Sequence, residues 1–219
     1  MSDISVYCLK YGEGALPEGM VFPNGSNSRT VPISFAVYLV ITPKRNILID
    51  AGCDSMSDFQ PKNFRSPAVV LKEVTGMSAE DITDVIITHC HFDHIEALKH
   101  FKIAKLHITK KQYGNGNEYI PNEMEVTTYE GSAFIEKGIK ITEIGGHCYG
   151  SAAVEIENGD TIHVFCGDEC YTDENIKSKI PTGASEDIEK SRSFIEKYSS
   201  GKYTVHTCHD MALKSKKII

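Results

Sequence analysis

The chain has 219 residues, enough for one sizeable hydrophobic core and short for two, which predicts a single domain over 1–219. Its make-up, 41% hydrophobic and 24% charged with 17 Gly and 8 Pro, excludes fibrous and low-complexity classes. A formal charge of -7, from 30 acidic against 23 basic residues, disfavours a nucleic-acid partner, and no run approaches the roughly 18 apolar residues of a membrane span.

The start, MSDISVYCLK, lacks the basic flank and apolar run of a signal peptide. The 7 cysteines (Cys8, Cys53, Cys90, Cys148, Cys166, Cys170, Cys208) are odd in number and contain no CxxC pair, which fits reduced thiols better than a disulfide framework. Both features point to a cytoplasmic protein. The densest basic cluster, LKSKKII at the end, reads as a solvated tail.

In chain order, SVYCLKY (5–11), ISFAVYLVI (33–41) and NILIDAG (46–52) read as strands, and the Gly/Pro/Asn/Ser-rich stretch 12–32 as a loop between the first two. Residues 67–74 and 79–82 read as short helices, with Ser78 capping the second. DVIIT (84–88) is β-branched and short enough for a buried strand, and it delivers the chain to THCHFDH. HIEALKHF then carries a helical pattern, with Ile95, Leu98 and Phe101 recurring at a spacing of three. KLHIT is strand-like, and 112–133 has the weak periodicity of a loop or lid. GIKITEI, AAVEIE and TIHVFC follow as strands, the last two joined by the turn signal Asn158-Gly159-Asp160. Ser185 is the expected cap of a helix to about Ser199, with Glu186 and Asp187 in its first turn, Lys197 in its last and Gly201 beyond it; YTVHT closes the set. This order predicts an α/β or α+β fold with two sheets.

The chemistry concentrates in THCHFDH. On an extended segment, residues two apart point the same way, so His89 and His91 converge while Cys90 turns aside. Asp93 and His94, at a helix start, can present a second pair. Imidazole nitrogens with a carboxylate are the ligands zinc takes in catalytic sites. Three more candidates each follow a strand-like run: His147 in IGGHCYGS, Asp168 in VFCGDECYT and His209 in VHTCHD. His100, His107, His163 and His206 read as packing or surface residues.

HxHxDH, then Gly-His, then Gly-Asp, then a final His, in that order from Asp50 to His209, resembles the metallo-β-lactamase superfamily. The resemblance implies a four-layer αβ/βα sandwich with a dinuclear site on its edge. On it, His89, His91 and His147 would hold one metal, Asp93, His94 and His209 the other, and Asp168 would bridge them. Asp50 matches the aspartate that hydrogen-bonds a ligand imidazole and fixes its tautomer. The implied cofactors are two divalent ions, zinc by default from the N/O mix, with iron or manganese fitting the same set. Coordination lowers the pKa of water from about 16 toward about 7, so a hydroxide bridging the ions is the expected nucleophile toward an ester, lactone, thioester, amide or phosphodiester.

The segment GDECYTDEN narrows this, because it resembles the corresponding run of the N-acyl homoserine lactonases, as do Phe92 and the His209-Asp210 pair. That subgroup implies a small-molecule lactone or related ester as substrate, with Tyr171 and Asp93 as catalytic residues. Tyr171 would donate its phenolic hydrogen to the carbonyl or leaving alkoxide, and Phe92 would line the entrance. The chain departs from the subgroup at Ile95-Glu96, where small residues are usual, and in shorter segments between strands. A thioesterase of the glyoxalase II kind shares the ligand set but adds C-terminal glutathione-binding residues not found here. A β-lactamase would add a helix after the final His and a substrate lysine. A third reading is a non-hydrolytic metal-binding or redox-sensing protein: if 166–170 is extended, Cys166, Asp168 and Cys170 share one side, and thiolate competes well for zinc or iron. Buried, packed cysteines are the plainer account of the same residues.

Overall fold

A computed structural model describes residues 4–56 and 61–219; the first three residues of the segment read above as lacking a signal lie outside them. Strand β2 (Thr30–Ile41) shows how the sequence dictates the architecture. Ile33, Phe35, Val37 and Leu39 enter one core while Ala36, Tyr38 and Val40 enter another. Period-two alternation with both faces covered makes the run continuously apolar.

Among the described residues, seven strands form the first sheet in the order β12-β1-β2-β3-β4-β5-β6, and five the second in the order β11-β10-β9-β8-β7. Besides β2 these are β1 (Ser5–Pro17), β3 (Asn46–Ile49), β4 (Asp84–Ile86), β5 (Lys105–Thr109), β6 (Val126–Tyr129), β7 (Ser132–Glu136), β8 (Ile139–Glu143), β9 (Ala152–Asn158), β10 (Thr161–Phe165), β11 (Tyr203–His206) and β12 (Lys216–Lys217). The helices are α1 (Glu18–Val21), α2 (Pro67–Thr75), α3 (Phe92–Ile95), α4 (Lys110–Asn115), α5 (Asp173–Lys177) and α6 (Ile188–Tyr198). The sheets meet face to face through Tyr38, Val40 and Ile49 on one side and Ile141, Val154 and Phe165 on the other. The outer face of the first sheet packs on Val70 and Leu71 of α2 and on Leu98 and Phe101; that of the second packs on Phe194, Ile195 and Tyr198 of α6. The expected four layers, helix, sheet, sheet, helix, are those observed.

Several local expectations are corrected. Stretch 12–32 is not all loop: β1 and β2 stay paired out to Pro17 opposite Thr30, with α1 and turns between them, and a register shift between Lys10 and Gly12 leaves Tyr11 as the bulged residue. The basic tail contributes the edge strand β12, pairing Lys216 with Cys8, and exposed lysines suit an edge. Stretch 112–133 holds α4, a 3-10 turn at Asn117–Tyr119 and the parallel edge strand β6, all too short for a periodic signal. HIEALKHF is α3 followed by the 3-10 segment Glu96–Phe101. The spacing of three at Ile95, Leu98 and Phe101 is the 3-10 period, and all three are buried. Asp187, not Ser185, caps α6, its side chain accepting the Lys190 amide.

Candidate metal centre

The site lies where strands of both sheets end. β3 and β4 run parallel, as do β10 and β11, so their C-terminal ends gather at one edge. His89 and His91 follow β4, Asp93 and His94 lie in α3, Asp168 sits on the 3-10 turn Gly167–Glu169 after β10, and His209 follows β11. His147 comes from the β8–β9 connection.

All the site residues expected from the sequence come together. His91 Nδ1 lies 3.1 Å from His89 Nε2 and 3.0 Å from His147 Nε2. The two oxygens of Asp168 divide between two groups. Oδ2 is 3.5 Å from His89 Nε2 and 3.4 Å from His147 Nε2, while Oδ1 is 3.1 Å from His94 Nε2 and 3.0 Å from His209 Nε2. Asp93 Oδ2 stands 3.6 Å from His94 Nε2 and 3.7 Å from His209 Nε2. Tyr171 touches both groups, its ring centroid 5.8 Å from that of His147 and 5.2 Å from that of His209.

The hydrogen bonds behind these rings fix which nitrogen is free. Asp50, at φ 60 in the left-handed region, accepts from the Thr88 amide at 2.8 Å and from His94 Nδ1 at 2.8 Å. Thr88 Oγ1 donates to the Asp50 carboxylate, so it accepts from His89 Nδ1 at 3.1 Å. His209 Nδ1 donates to the Ser34 carbonyl at 2.9 Å. With Nδ1 spent on the protein, each of these rings turns its Nε2 inward, and buried His94 Nε2 has no hydrogen-bond partner. Imidazole nitrogens and carboxylate oxygens converging at this spacing suit a cation, and tetrahedral zinc with Zn–N of about 2.0–2.1 Å brings its ligand atoms comparably close. His89, His91, His147 and Asp168 thus form one group able to hold a metal, and His94, Asp168 and His209, with Asp93 alongside, a second.

The electrostatics agree. Burial pulls His89 and His147 down to about 3, the neutral state in which imidazole ligates. Burial also opposes charge on His94 and His209, yet Asp168 and Asp93 hold both above the usual histidine range. Burial opposes ionisation of Asp168 in turn, but His94, His209 and His89 keep it well below the carboxylate range. Without metal, protons supply the positive charge the second group calls for.

Glu169 escaped the sequence reading. Buried beside Asp168, it accepts the His147 amide at 3.2 Å, the Gly146 amide at 3.2 Å and the Ser151 hydroxyl, with Ser191 Oγ at 3.5 Å. A Cβ at Gly146 would lie 2.4 Å from Glu169 Oε2, which is why the loop needs glycine there. His147 Nδ1 has no partner, so this ligand is positioned through its backbone by Glu169. The signal was a second acid inside the apolar run VFCGDEC.

The cysteine expectation also changes. Because 167–169 is a 3-10 turn, Cys166 and Cys170 do not share a side with Asp168: Cys166 Sγ faces backbone carbonyls of Gly167, Cys170 and His206, and Cys170 packs in the α6 layer. The thiol at the site is that of Cys208, which donates to Asp168 Oδ1 at 3.2 Å. Burial pushes it well above the usual thiol range, so it stays protonated. Cys90 turns aside as expected, its Sγ donating to the Gln112 carbonyl at 3.2 Å.

A cavity of about 340 Å³ opens onto the cluster. His91, Asp93, His147, Asp168 and His209 lie in it with Tyr171; Phe92 and Phe35 are among its apolar walls, and Glu186 is the other charged group.

Residues 33–205 match the family pattern described as the metallo-beta-lactamase superfamily. A probable metallo-hydrolase of Methanocaldococcus jannaschii is 28% identical over 144 residues, 66% of this chain and 64% of that protein. One of Mycobacterium bovis is 24% identical over 174 residues, 62% and 56% of the two chains. The chain thus spans less than two thirds of these relatives' lengths. Among solved structures, a quorum-quenching N-acyl homoserine lactone lactonase superposes with a TM-score of 0.86 at 21% identity, covering 100% of this chain and 99% of the other. A probable metal-dependent hydrolase from Staphylococcus aureus superposes with a TM-score of 0.80 at 20% identity, covering 96% and 90%.

Proposed function

Because the chain belongs to the metallo-β-lactamase superfamily, we propose that it is a metal-dependent hydrolase with a two-metal site, acting on a lactone of the N-acyl homoserine kind or a related ester. His89, His91 and His147 would hold one divalent ion and Asp93, His94 and His209 the other, with Asp168 between them; zinc suits these donors, and iron or manganese fits them too. When bound, such ions supply a hydrolytic nucleophile at neutral pH and polarise a carbonyl.

The observation that carries the reading is Tyr171. It lines the cavity between the two histidine groups, and its hydroxyl has no hydrogen-bond partner among the described residues. Burial, with Asp168 and Asp93 nearby, pushes the phenol well above its ordinary range, so at neutral pH it is a donor. A donor held there can hydrogen-bond the ester carbonyl as negative charge builds on its oxygen, and then the departing alkoxide. Asp93 Oδ2, the most open of the site's carboxylate groups, can take the proton of the attacking water and return it to that alkoxide, giving the hydroxy acid. The apolar walls receive the acyl part and keep bulk water away.

No lysine or arginine lines the cavity among the described residues, which fits poorly with an anionic glutathione thioester, and Cys166 and Cys170 offer a redox sensor no thiolate at the site. The test is a panel of lactone, thioester, β-lactam and phosphodiester chromogens, each with and without chelator. Chelator-sensitive turnover concentrated on the lactones is expected. Turnover of another class, or silence from metal-loaded protein, would overturn the assignment.

A further inference from the structure

The bulge in β1 sets one large side chain apart from the strand pairing. Lys10 pairs with Ala36 and Gly12 with Phe35, so Tyr11 stands outside the ladder, with its ring buried in the core that α3 covers. The ring lies 6.0 Å from Phe35, whose own ring is edge-on to His209 at 5.3 Å. Gly52, at φ 74, brings backbone against it, since a Cβ there would fall 3.1 Å from Tyr11 Cε1. So held, the phenol donates its hydrogen to the Asp93 carbonyl at 2.7 Å. That carbonyl is the one α3 leaves open. The helix spans 4 residues, and the Ala97 amide, which one more turn would aim at Asp93, donates to the Gly52 carbonyl at 2.9 Å. The carbonyls on either side have backbone donors: the Glu96 amide closes on Phe92, and the Ala51 and Gly52 amides close on His94 at 2.7 and 3.2 Å. The single phenolic hydrogen is spent on Asp93, so the Cys53 thiol, 3.9 Å away, donates in its contact with Tyr11. Burial, with Cys53 and Asp93 beside it, pushes the phenol well above its ordinary range, and at neutral pH it keeps that hydrogen.

We propose that Tyr11 is a positioning residue of the second histidine group: through the Asp93 carbonyl it fixes the α3 turn, so that the Asp93 carboxylate stays beside His94 and His209. The inference rests on the two-metal reading. Asp93 Oδ2 stands 3.6 Å and 3.7 Å from the two imidazole nitrogens, and among the described residues no hydrogen-bond donor of the protein other than these rings approaches that carboxylate. His94 and His209 are oriented through Nδ1 and His147 through its amide; Asp93 is oriented through its carbonyl. A ligand held only by its backbone is as well placed as that backbone, and here one hydroxyl from a strand 82 residues away in the chain supplies the anchor. Without it, a buried carbonyl is left unpaired and the short helix can turn to find another donor, carrying the carboxylate with it.

The alternative is that the hydroxyl contributes to stability alone. Two variants separate the readings. Tyr11→Phe keeps the ring and removes the hydroxyl, whereas Cys53→Ala loosens the same corner of the core and leaves the bond from Tyr11 to Asp93 in place. Metal-free protein is titrated with cobalt against a chelating dye. The exchangeable, paramagnetically shifted Nδ1–H signals of His94 and His209 report the second group, and that of His89 the first. In Tyr11→Phe the dissociation constant at the second group should rise about tenfold, with that at the first within about twofold of wild type. Cys53→Ala should leave both within about twofold. Equal changes at the two groups, no change at either, or as large a loss at the second group in Cys53→Ala would overturn the proposal. If wild type takes fewer than two metals per chain, the two-metal reading fails by itself, and hydrogen exchange of the metal-free protein decides whether Tyr11 holds the α3 turn. The His94 and Ala97 amides should then exchange about tenfold faster in Tyr11→Phe, with Val37 and Leu39 of β2 unchanged; exchange equal to wild type at His94 and Ala97 would overturn the proposal.

Discussion

Strand β4 has a buried histidine–aspartate cluster at each end, and the two are satisfied in opposite ways. At its start, Asp84 accepts from His107 Nε2 at 2.8 Å and Thr83 Oγ1 at 2.7 Å and pairs with Arg45. The Tyr129 hydroxyl donates to His107 Nδ1 at 2.6 Å, so both nitrogens of that ring have partners. Just past its other end, His89, His94 and His209 spend their Nδ1 atoms on the protein, and these three with His91 and His147 leave inner nitrogens facing each other and Asp168. Both clusters are largely buried, exposed His91 and half-buried Asp93 apart, and both contain imidazole hydrogen-bonded to carboxylate. What separates a structural network from a metal centre is therefore not the residue types but which donors and acceptors remain unspent.

Removing the carboxylate shared by the two histidine groups should break the contrast most severely. Asp168→Ala is expected to lower the metal content below that of wild type and to cut chelator-sensitive hydrolysis by about 10³-fold or more, read by elemental analysis and kcat/KM. Asp50→Asn is gentler. Asn tolerates the φ of 60 that Asp50 adopts, so the fold should persist while His94 loses the carboxylate that fixes its tautomer. A decrease in metal affinity of about 10–100-fold is expected from competition with a chelating dye, and an unchanged affinity would mean the tautomer needs no such support.

The same treatment of the other cluster should change stability and not metal. Asp84→Asn removes the charge that Arg45 and His107 face, at a cost of about 1–3 kcal/mol in denaturant unfolding, with metal per chain as in wild type. The pH dependence has a definite sign. Burial opposes ionisation of Asp84, but His107, Thr83 and Arg45 hold it below the ordinary value of 3.8. A carboxylate depressed on folding contributes stability above its unfolded value and loses it as pH falls through the folded one. Wild type should therefore lose this increment below about pH 4, and Asp84→Asn should lack that part of the acid-side decline.

Legibility in the sequence follows the same division. HxHxDH was readable because its ligands are close in the chain and their spacing maps onto a strand end and a helix start. His147, Asp168 and His209 were readable because each ends a β-rich run at the edge where parallel strands finish. Glu169, Thr88 and the Cys208–Asp168 contact were not, since each acts through a partner brought near by folding: Glu169 through the β8–β9 loop, Thr88 through Asp50, Cys208 through the turn at Gly167. Asp84 and His107, 23 residues apart in the chain, were hidden as a pair for the same reason. In the fold, long apolar strands were legible, while β6, β12 and the outer half of β1 were not, because pairing in an edge or a hairpin overrode weak local propensity.

The smallest expected effect concerns the cysteine set between the first two ligands. Cys90 Sγ donates to the Gln112 carbonyl at 3.2 Å and its amide donates to Gln112 Oε1 at 2.8 Å, so the residue is turned toward α4. Gly116 packs closely there, a Cβ at that position falling 2.3 Å from the sulfur. Burial pushes the thiol up to about 12, which keeps it from the thiolate form that ligates metal. Cys90→Ser retains a donor for Gln112 in slightly less volume, so metal per chain should equal that of wild type and stability should change by less than about 1 kcal/mol. Cys208→Ser is the informative partner, because the thiol lost there donates to Asp168 at 3.2 Å. If Cys90→Ser lowered metal content while Cys208→Ser did not, the sulfur that matters would be the one facing away from the imidazoles, and the division of β4's ends by unspent nitrogens would have to be redrawn.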